Sequence, residues 1–221
     1  MTVQDDRREN ELIKLFALKR PPNPTRSGTD AILDVNGYSI PFELKSTTSS
    51  SVTTVRDFGL DHIKKWQGKH WLFGFYNKQG TELLYCLYAS PTVMSQWISE
   101  KEIYIMSDYK LGEIAPERLT LDDLYAILGQ KDSYTLPDAR SLQKKQYTTQ
   151  QYYTKMDLPQ GYSPERMLSI LKERCRYLIQ RGSTLNNPHI LASYFQGWER
   201  ITENHAQRLR ELVIEALQDK A

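Results

Sequence analysis

The chain has 221 residues, of which 39% are hydrophobic and 25% charged, with 29 Lys and Arg against 27 Asp and Glu for a net charge of +2. That is enough apolar content to bury a real core, as one domain or as a small core with an appended module. The near-balanced charge excludes a global field that would attract a polyanion, so any nucleic-acid footprint must be local. No run of about 18 apolar residues occurs, so no membrane span is expected. The opening residues, Met1 to Arg8, have no apolar h-region and predict no signal peptide. Cys86 and Cys175 lie in apolar runs without metal-like spacing. They are expected to be free core thiols of a cytoplasmic protein in a reducing compartment.

Residues 5–19 read as a helix. Leu12, Ile13 and Phe16 follow Glu9 by three, four and seven positions, which places Glu9 on the inward stripe. A carboxylate there needs a partner. Two readings stay open: an acid favoured by the helix N-terminal dipole, or an extra carboxylate for a metal site. Glu11 is the competing candidate but falls off the stripe. Arg20 to Gly28 contains three prolines and predicts a loop. Its Arg26 and Ser27, just ahead of the first strand, are candidate phosphate contacts or simple loop decoration.

Asn36-Gly37 is a strong two-residue hairpin signal, because both central positions of a type I′ turn need positive φ. An ungapped ladder then pairs Val35 with Tyr38, Leu33 with Ile40, Ala31 with Phe42 and Asp30 with Glu43. Alternation puts Ala31, Leu33, Ile40, Phe42 and Leu44 on an apolar face and Asp30, Glu43 and Lys45 on the other. Pro41 removes a ladder donor and suits an edge or a bulge, and a bulge would shift the pairing. Asp34 shares the polar face but sits beside the turn. Two facing carboxylates lie roughly 5 Å apart at Cβ and repel, so a cation belongs between them. Lys45 supplies part of that charge. With only oxygen donors available, a hard divalent ion such as Mg²⁺ suits the remainder, and acids holding Mg²⁺ beside a lysine can attack a phosphodiester.

Thr29-Asp30 followed by Glu43-Leu44-Lys45 resembles the signature of the PD-(D/E)xK nucleases, with threonine in place of the family proline. The likeness covers about the first 90 residues, and residues 9–15 are similar to the opening helix of archaeal Holliday-junction resolvases within that family. The resemblance implies a restriction-endonuclease-like α/β core with a mixed sheet flanked by helices. It implies Asp30, Glu43 and the Leu44 carbonyl as Mg²⁺ ligands, Lys45 as the catalytic lysine and Glu9 as an added acid. It also implies products with 5′-phosphate ends.

Residues 46–54 contain eight hydroxyl residues in nine. They read as a linker, or as a loop whose Ser46, Thr47 and Thr48 bond phosphates. Residues 56–67 predict a short helix with Lys64 and Lys65 outward. His70 to Tyr76 is a continuous apolar run suited to a central strand, and residues 81–88 return as its hairpin partner. Ser90-Pro91 caps a helix to Ser99, and residues 102–106 suit a last strand. Thr120 to Asp123 opens a further helix ending near Gly129.

Residues 130–162 interleave tyrosines with basic residues, among them Arg140, Lys144, Lys145 and Tyr147, and suit a polar loop or a nucleic-acid contact. From 130 to 181 there are ten Lys and Arg against five Asp and Glu, a local surplus of five. Helices are expected at 163–181, from 187, and at 199–218.

The expectation is a nuclease core over 1–129 and a basic, largely helical recognition or dimerisation region over 130–221. The corresponding function is a Mg²⁺-dependent endonuclease on double-stranded DNA, of the type II restriction kind and homodimeric. A structure-selective nuclease and a non-catalytic DNA-binding protein are the alternatives.

Overall fold

The computed structural model describes residues 3–22, 28–55, 58–182 and 187–219. Arg26 and Ser27 lie outside the described residues. The chain divides into two compact units, 1–104 with 186–221, and 105–185. This differs from the expected boundary at 129, and it returns the C-terminal helix to the unit that contains the hairpin.

The first unit holds a mixed four-stranded sheet in the order β1 (Ala31–Val35), β2 (Tyr38–Thr47), β4 (His70–Tyr76) and β5 (Leu83–Ala89). A short β3 (Val52–Thr53) lies outside it and pairs with β6 (His189–Ile190). Helices α1 (Val3–Leu15), α2 (Leu60–Trp66) and α8 (His205–Gln218) accompany the sheet. Helix α1 ends at Leu15 rather than near residue 19, because Ala17 adopts φ 52° and the chain turns so that Lys19 bridges to Ile32.

The hairpin has the expected register: Val35 opposes Tyr38, Leu33 opposes Ile40 and Ala31 opposes Phe42. Asn36 and Gly37 take φ 50° and 80°, as that turn requires. Pro41 causes no bulge. It opposes Ile32, whose N–H and C=O are turned outward to Lys19 at 2.8 Å each. That position belongs to the non-hydrogen-bonded class of antiparallel pair. The missing proline donor therefore points away from β1, and the parallel pairing of β2 with β4 begins only at the next residue, Phe42 opposite His70.

Strand β4 is buried along its whole length, as its unbroken apolar run demands. One face of the sheet packs Leu33, Phe42 and Leu72 with Leu12 and Phe16 of α1 and Leu209 and Val213 of α8. On the aromatic side, the indole of Trp66 lies 5.4 Å from the rings of both Trp71 and Trp97.

Helix α3 (Pro91–Glu117) runs through the segment 102–106 that reads as a strand, and the boundary between the units falls within it. Met94, Trp97, Ile98 and Ile105 are buried at helical spacing, which outweighs the β-prone Ile-Tyr-Ile run whose Ile103 and Tyr104 are exposed. The stretch from residue 187 forms β6 and a 3-10 turn (Ala192–Phe195), not a helix, because His189 and Ile190 pair with β3.

In the second unit, residues 130–162 are not a long loop. They contain α5 (Leu136–Gln143) and α6 (Thr149–Thr154), each opened by a capping box, Thr135 with Asp138 and Thr148 with Gln151. Tyr134, Tyr152 and Tyr162 form a small core with Leu124 of α4 (Leu121–Leu128) and Met167 and Ile170 of α7 (Pro164–Gly182). Both cysteines are free, Cys86 buried and Cys175 half-buried. Among the described residues no helix is long and apolar enough to cross a membrane.

Gly74 of β4 lies close under Leu12 of α1. A β-carbon there would stand 3.1 Å from a Leu12 methyl and from the Tyr76 ring. Gly74→Val is expected to destabilise the protein by about 1–3 kcal/mol through overpacking, read as a lower urea midpoint at unchanged slope.

Candidate active site

Strand alternation divides β2 between two environments. Phe42 and Leu44 enter the apolar core, while Glu43 and Lys45 face the other way and pair across the parallel ladder with Trp71 and Phe73. Glu43 has no solvent exposure. A buried carboxylate must be paired and hydrogen-bonded to persist as an ion. Here it has four partners. Lys45 Nζ donates at 2.7 Å, Lys65 Nζ lies at 3.1 Å, Lys69 Nζ at 3.3 Å, and Trp66 donates its Nε1–H at 3.4 Å.

Asp30 lies just before β1, and its N–H donates to the Phe42 carbonyl at 3.1 Å. Its Oδ2 accepts the Leu44 N–H at 2.9 Å, while its two oxygens stand 3.8 Å from Lys45 Nζ and 3.6 Å from Lys65 Nζ. Asp30, Glu43 and Lys45 therefore converge, as the ungapped hairpin requires. Lys45 Nζ also donates to the Leu44 carbonyl at 3.1 Å. Its ammonium thus rests among Glu43 Oε1, Leu44 O and Asp30 Oδ2, the three oxygens expected to ligate a metal. Among the described residues no group of three His, Cys, Asp or Glu side chains forms a ready metal cage. The donor set is instead two carboxylates and a carbonyl around a spot already held by a cation. All are hard oxygens, which fits Mg²⁺.

The local field follows from this packing. Burial alone would raise the Glu43 carboxyl, but the ammonium groups of Lys45, Lys65 and Lys69 outweigh it and bring it down to about 2. Burial disfavours the Lys45 ammonium, yet Glu43 and Asp30 more than offset it and its pKa is raised. Lys69 is lowered, by burial first and by the Lys65 charge, against the pull of Glu43.

Glu9 is half-buried on α1 and accepts from Arg20 Nη1 at 3.2 Å. Its carboxyl is raised by burial and then by the charge of Asp30, with Arg20 and Lys45 acting in the opposite sense. Glu9 is thus within electrostatic reach of the cluster. Glu11 is committed elsewhere, accepting from the Tyr76 hydroxyl at 3.1 Å. Asp34 is exposed, is held by Lys19 at 2.6 Å and Ser39 at 2.8 Å, and does not take part.

The remaining expected contacts are scattered. Ser46 and Thr47 extend β2 opposite Gly74 and Phe75, and the Thr47 hydroxyl donates to the Ser51 carbonyl at 2.7 Å while accepting from Ser49 N–H. Only Thr48 of the three is fully exposed. In the second unit, Arg140 lies over the Tyr152 ring, and Lys144 and Lys145 are exposed in a left-handed turn at the end of α5. Tyr147 is not free to stack on a base. It packs against the tyrosine core, its hydroxyl donating to Glu173 and accepting from Gln143, with Lys155 Nζ 5.2 Å from the ring centre.

Two contributors escape a reading of the sequence. Lys65 reads as outward on a short helix, yet it is turned in and bridges both acids. Lys69, between the expected helix and strand, carries no expectation, yet its ammonium joins the Gly28 carbonyl at 3.0 Å to Glu43. The available signal was one of parity: Lys69 lies two residues before Trp71, the residue opposite Glu43.

The chain matches no protein-family model and no curated protein sequence.

The depressed carboxyl of Glu43 sets a pH dependence. A group with a lowered folded-state pKa stabilises the fold above its unfolded value and loses that contribution as pH falls through the folded value. Wild type should lose stability between 4.5 and about 2 as Glu43 protonates. Glu43→Gln should show a flatter profile across that window and a loss of about 3 kcal/mol at neutral pH, since three ammonium groups lose their counter-charge. Urea melts of both proteins at several pH values measure this.

Proposed function

We propose that the protein is a Mg²⁺-dependent endonuclease acting on double-stranded DNA, of the type II restriction kind its Asp30, Glu43-Leu44-Lys45 pattern resembles. The observation that supports this best is the convergence of Asp30 Oδ2, Glu43 Oε1 and the Leu44 carbonyl on one cation, the Lys45 ammonium. Asp30, Glu43 and Leu44 would hold the metal. When bound, Mg²⁺ supplies Lewis-acid polarisation of the phosphate and a more acidic water.

The chain's own groups then have separable tasks. The Asp30 carboxylate, fixed by the Leu44 N–H, orients the acid pair. Lys45, released from the oxygens it now occupies, offsets negative charge developing on the phosphate and orients the attacking water. Glu9, with its raised carboxyl, suits holding or accepting a proton from an ordered water. Attack forms a bond from water oxygen to phosphorus and breaks the bond to the 3′ oxygen, leaving the 5′-phosphate the resemblance implies. Exposed Lys144 and Lys145, with Arg140, are candidate phosphate contacts of the second unit. One cluster per chain and two strands to cut imply a homodimer on a twofold-symmetric site.

A second reading has its own support. Three lysines outnumber the two acids, and each oxygen of Glu43 already has a protein donor. Such a cluster can hold a phosphate without cutting, as a DNA-binding protein on this fold.

Plasmid DNA and a synthetic four-way junction, each incubated with the protein and Mg²⁺, separate the readings. Discrete plasmid fragments are expected. Cutting of the junction alone points to a structure-selective nuclease, and retention of DNA without cutting supports the second reading. Asp30→Asn and Lys45→Ala should each lower cleavage at least ~100-fold while leaving the fold intact by thermal melting. Cleavage unchanged in Lys45→Ala would overturn the assignment.

A further inference from the structure

Lys65 lies on α2, not on the hairpin, yet like Lys45 it reaches both acids. Its Nζ stands 3.6 Å from Asp30 Oδ1, 3.1 Å from Glu43 Oε2 and 3.2 Å from Glu43 Oε1. Its side chain is only 13% exposed, so water screens little of this charge. Lys69 adds a third ammonium, 3.3 Å from Glu43 Oε2. Asp30 and Glu43 carry two negative charges and Lys45, Lys65 and Lys69 three positive ones, while Glu9 is matched by Arg20. The acid pair is thus over-compensated by one charge before any metal arrives.

A divalent cation entering among the Asp30, Glu43 and Leu44 oxygens meets three ammonium groups at close range. Lys45, the lysine of the resembled signature, would leave these oxygens for the phosphate in the nuclease reading. Lys65, which like Lys45 lies against both carboxylates, has no such task. It therefore competes for the oxygens a metal needs, and its charge repels the metal from close range. A phosphodiester brings negative charge to the same place and relieves that repulsion. Metal and phosphate must then favour one another's binding, because such coupling is reciprocal.

We propose that Lys65 is a positioning residue that serves as an internal counter-ion: it keeps Asp30 and Glu43 together in the metal-free protein and makes divalent-cation binding depend on a phosphodiester being present. The proposal rests on the nuclease reading. It assigns Lys65 no contact with the reacting atoms.

The test is calorimetric titration of Mg²⁺ into the full-length protein without DNA, for wild type, Lys65→Met, Lys65→Gln and Lys65→Arg, with thermal melts to confirm folding. Wild type should bind weakly, and Lys65→Met at least about tenfold more tightly, since a close like charge has gone. Lys65→Arg, which keeps the charge, should stay within about twofold of wild type. Should the methionine variant fail to fold, the glutamine variant carries the same comparison. A second readout compares the Mg²⁺ concentration that half-saturates plasmid cleavage with the one that half-saturates the free protein. The first should be at least about tenfold lower in wild type, and the gap should close in Lys65→Met.

Unchanged or weaker Mg²⁺ binding by both neutral variants overturns the counter-ion role and leaves the nuclease reading standing. Tight binding by wild type without DNA does the same. Absence of any Asp30-dependent Mg²⁺ binding, together with absence of cleavage, overturns the nuclease reading and this proposal with it.

Discussion

A carboxylate with no access to water, ringed by three ammonium groups and an indole N–H, is the interaction on which the rest of the first unit depends. Glu43 could not sit at the centre of a sheet as an isolated ion; the desolvation would be several kcal/mol, and it would protonate instead. Its partners therefore have to arrive from three places in the chain: the same strand, the short helix α2 with Lys65 and Trp66, and the turn that leaves that helix. Folding of β2, α2 and β4 is tied together at this one group. The acid pair that supports a nuclease reading is also a structural node.

What places these groups is largely backbone register. The Asn36-Gly37 turn sets the pairing of β1 with β2, and that pairing carries Asp30 to the Leu44 N–H. The parallel ladder from Phe42 onward then sets Glu43 against Trp71, so that Lys69 and Trp66 are beside it. A one-residue slip of either ladder would turn Glu43 into the Leu12, Phe16 and Leu209 core, where nothing could neutralise it. The charge thus also acts against misregistration.

The same distinction explains how much was legible in the sequence. The hairpin was, because its turn is encoded by two adjacent residues with a specific backbone demand, and a period of two does the rest. Asp30, Glu43 and Lys45 follow from that alone. Strand β4 was legible from an unbroken apolar run, and the cap of α3 from Ser90-Pro91. Lys65 and Lys69 were not, because their approach to Glu43 depends on a parallel pairing between segments with a helix between them, which no local pattern encodes. The tyrosines of 134–162 misled for a related reason. A tyrosine interleaved with lysines reads as a surface that stacks on bases, yet Tyr134, Tyr152 and Tyr162 are buried in a core with Leu124, Leu142, Ile170 and Leu171. Two of the hydroxyls are satisfied within that core: that of Tyr134 donates to the Gly129 carbonyl and that of Tyr162 to the Tyr152 carbonyl.

The location of the charges bears on why they are there at all. Trp71 and Phe73 lie opposite Glu43 and Lys45, and Trp66 covers them, so this face could be completed by apolar side chains in the manner of the opposite face. Replacing a buried ionic cluster by well-packed hydrophobic residues is often neutral or stabilising by about 1–4 kcal/mol. A cluster of two acids and three lysines is therefore a poor way to stabilise a sheet and a good way to keep opposite charges close together, poised and shielded from water. In the proposed nuclease reading, the Lys45 ammonium resting on two carboxylates and a carbonyl stands where a metal ion would bind. That coincidence supports a chemical role for the cluster over a purely structural one.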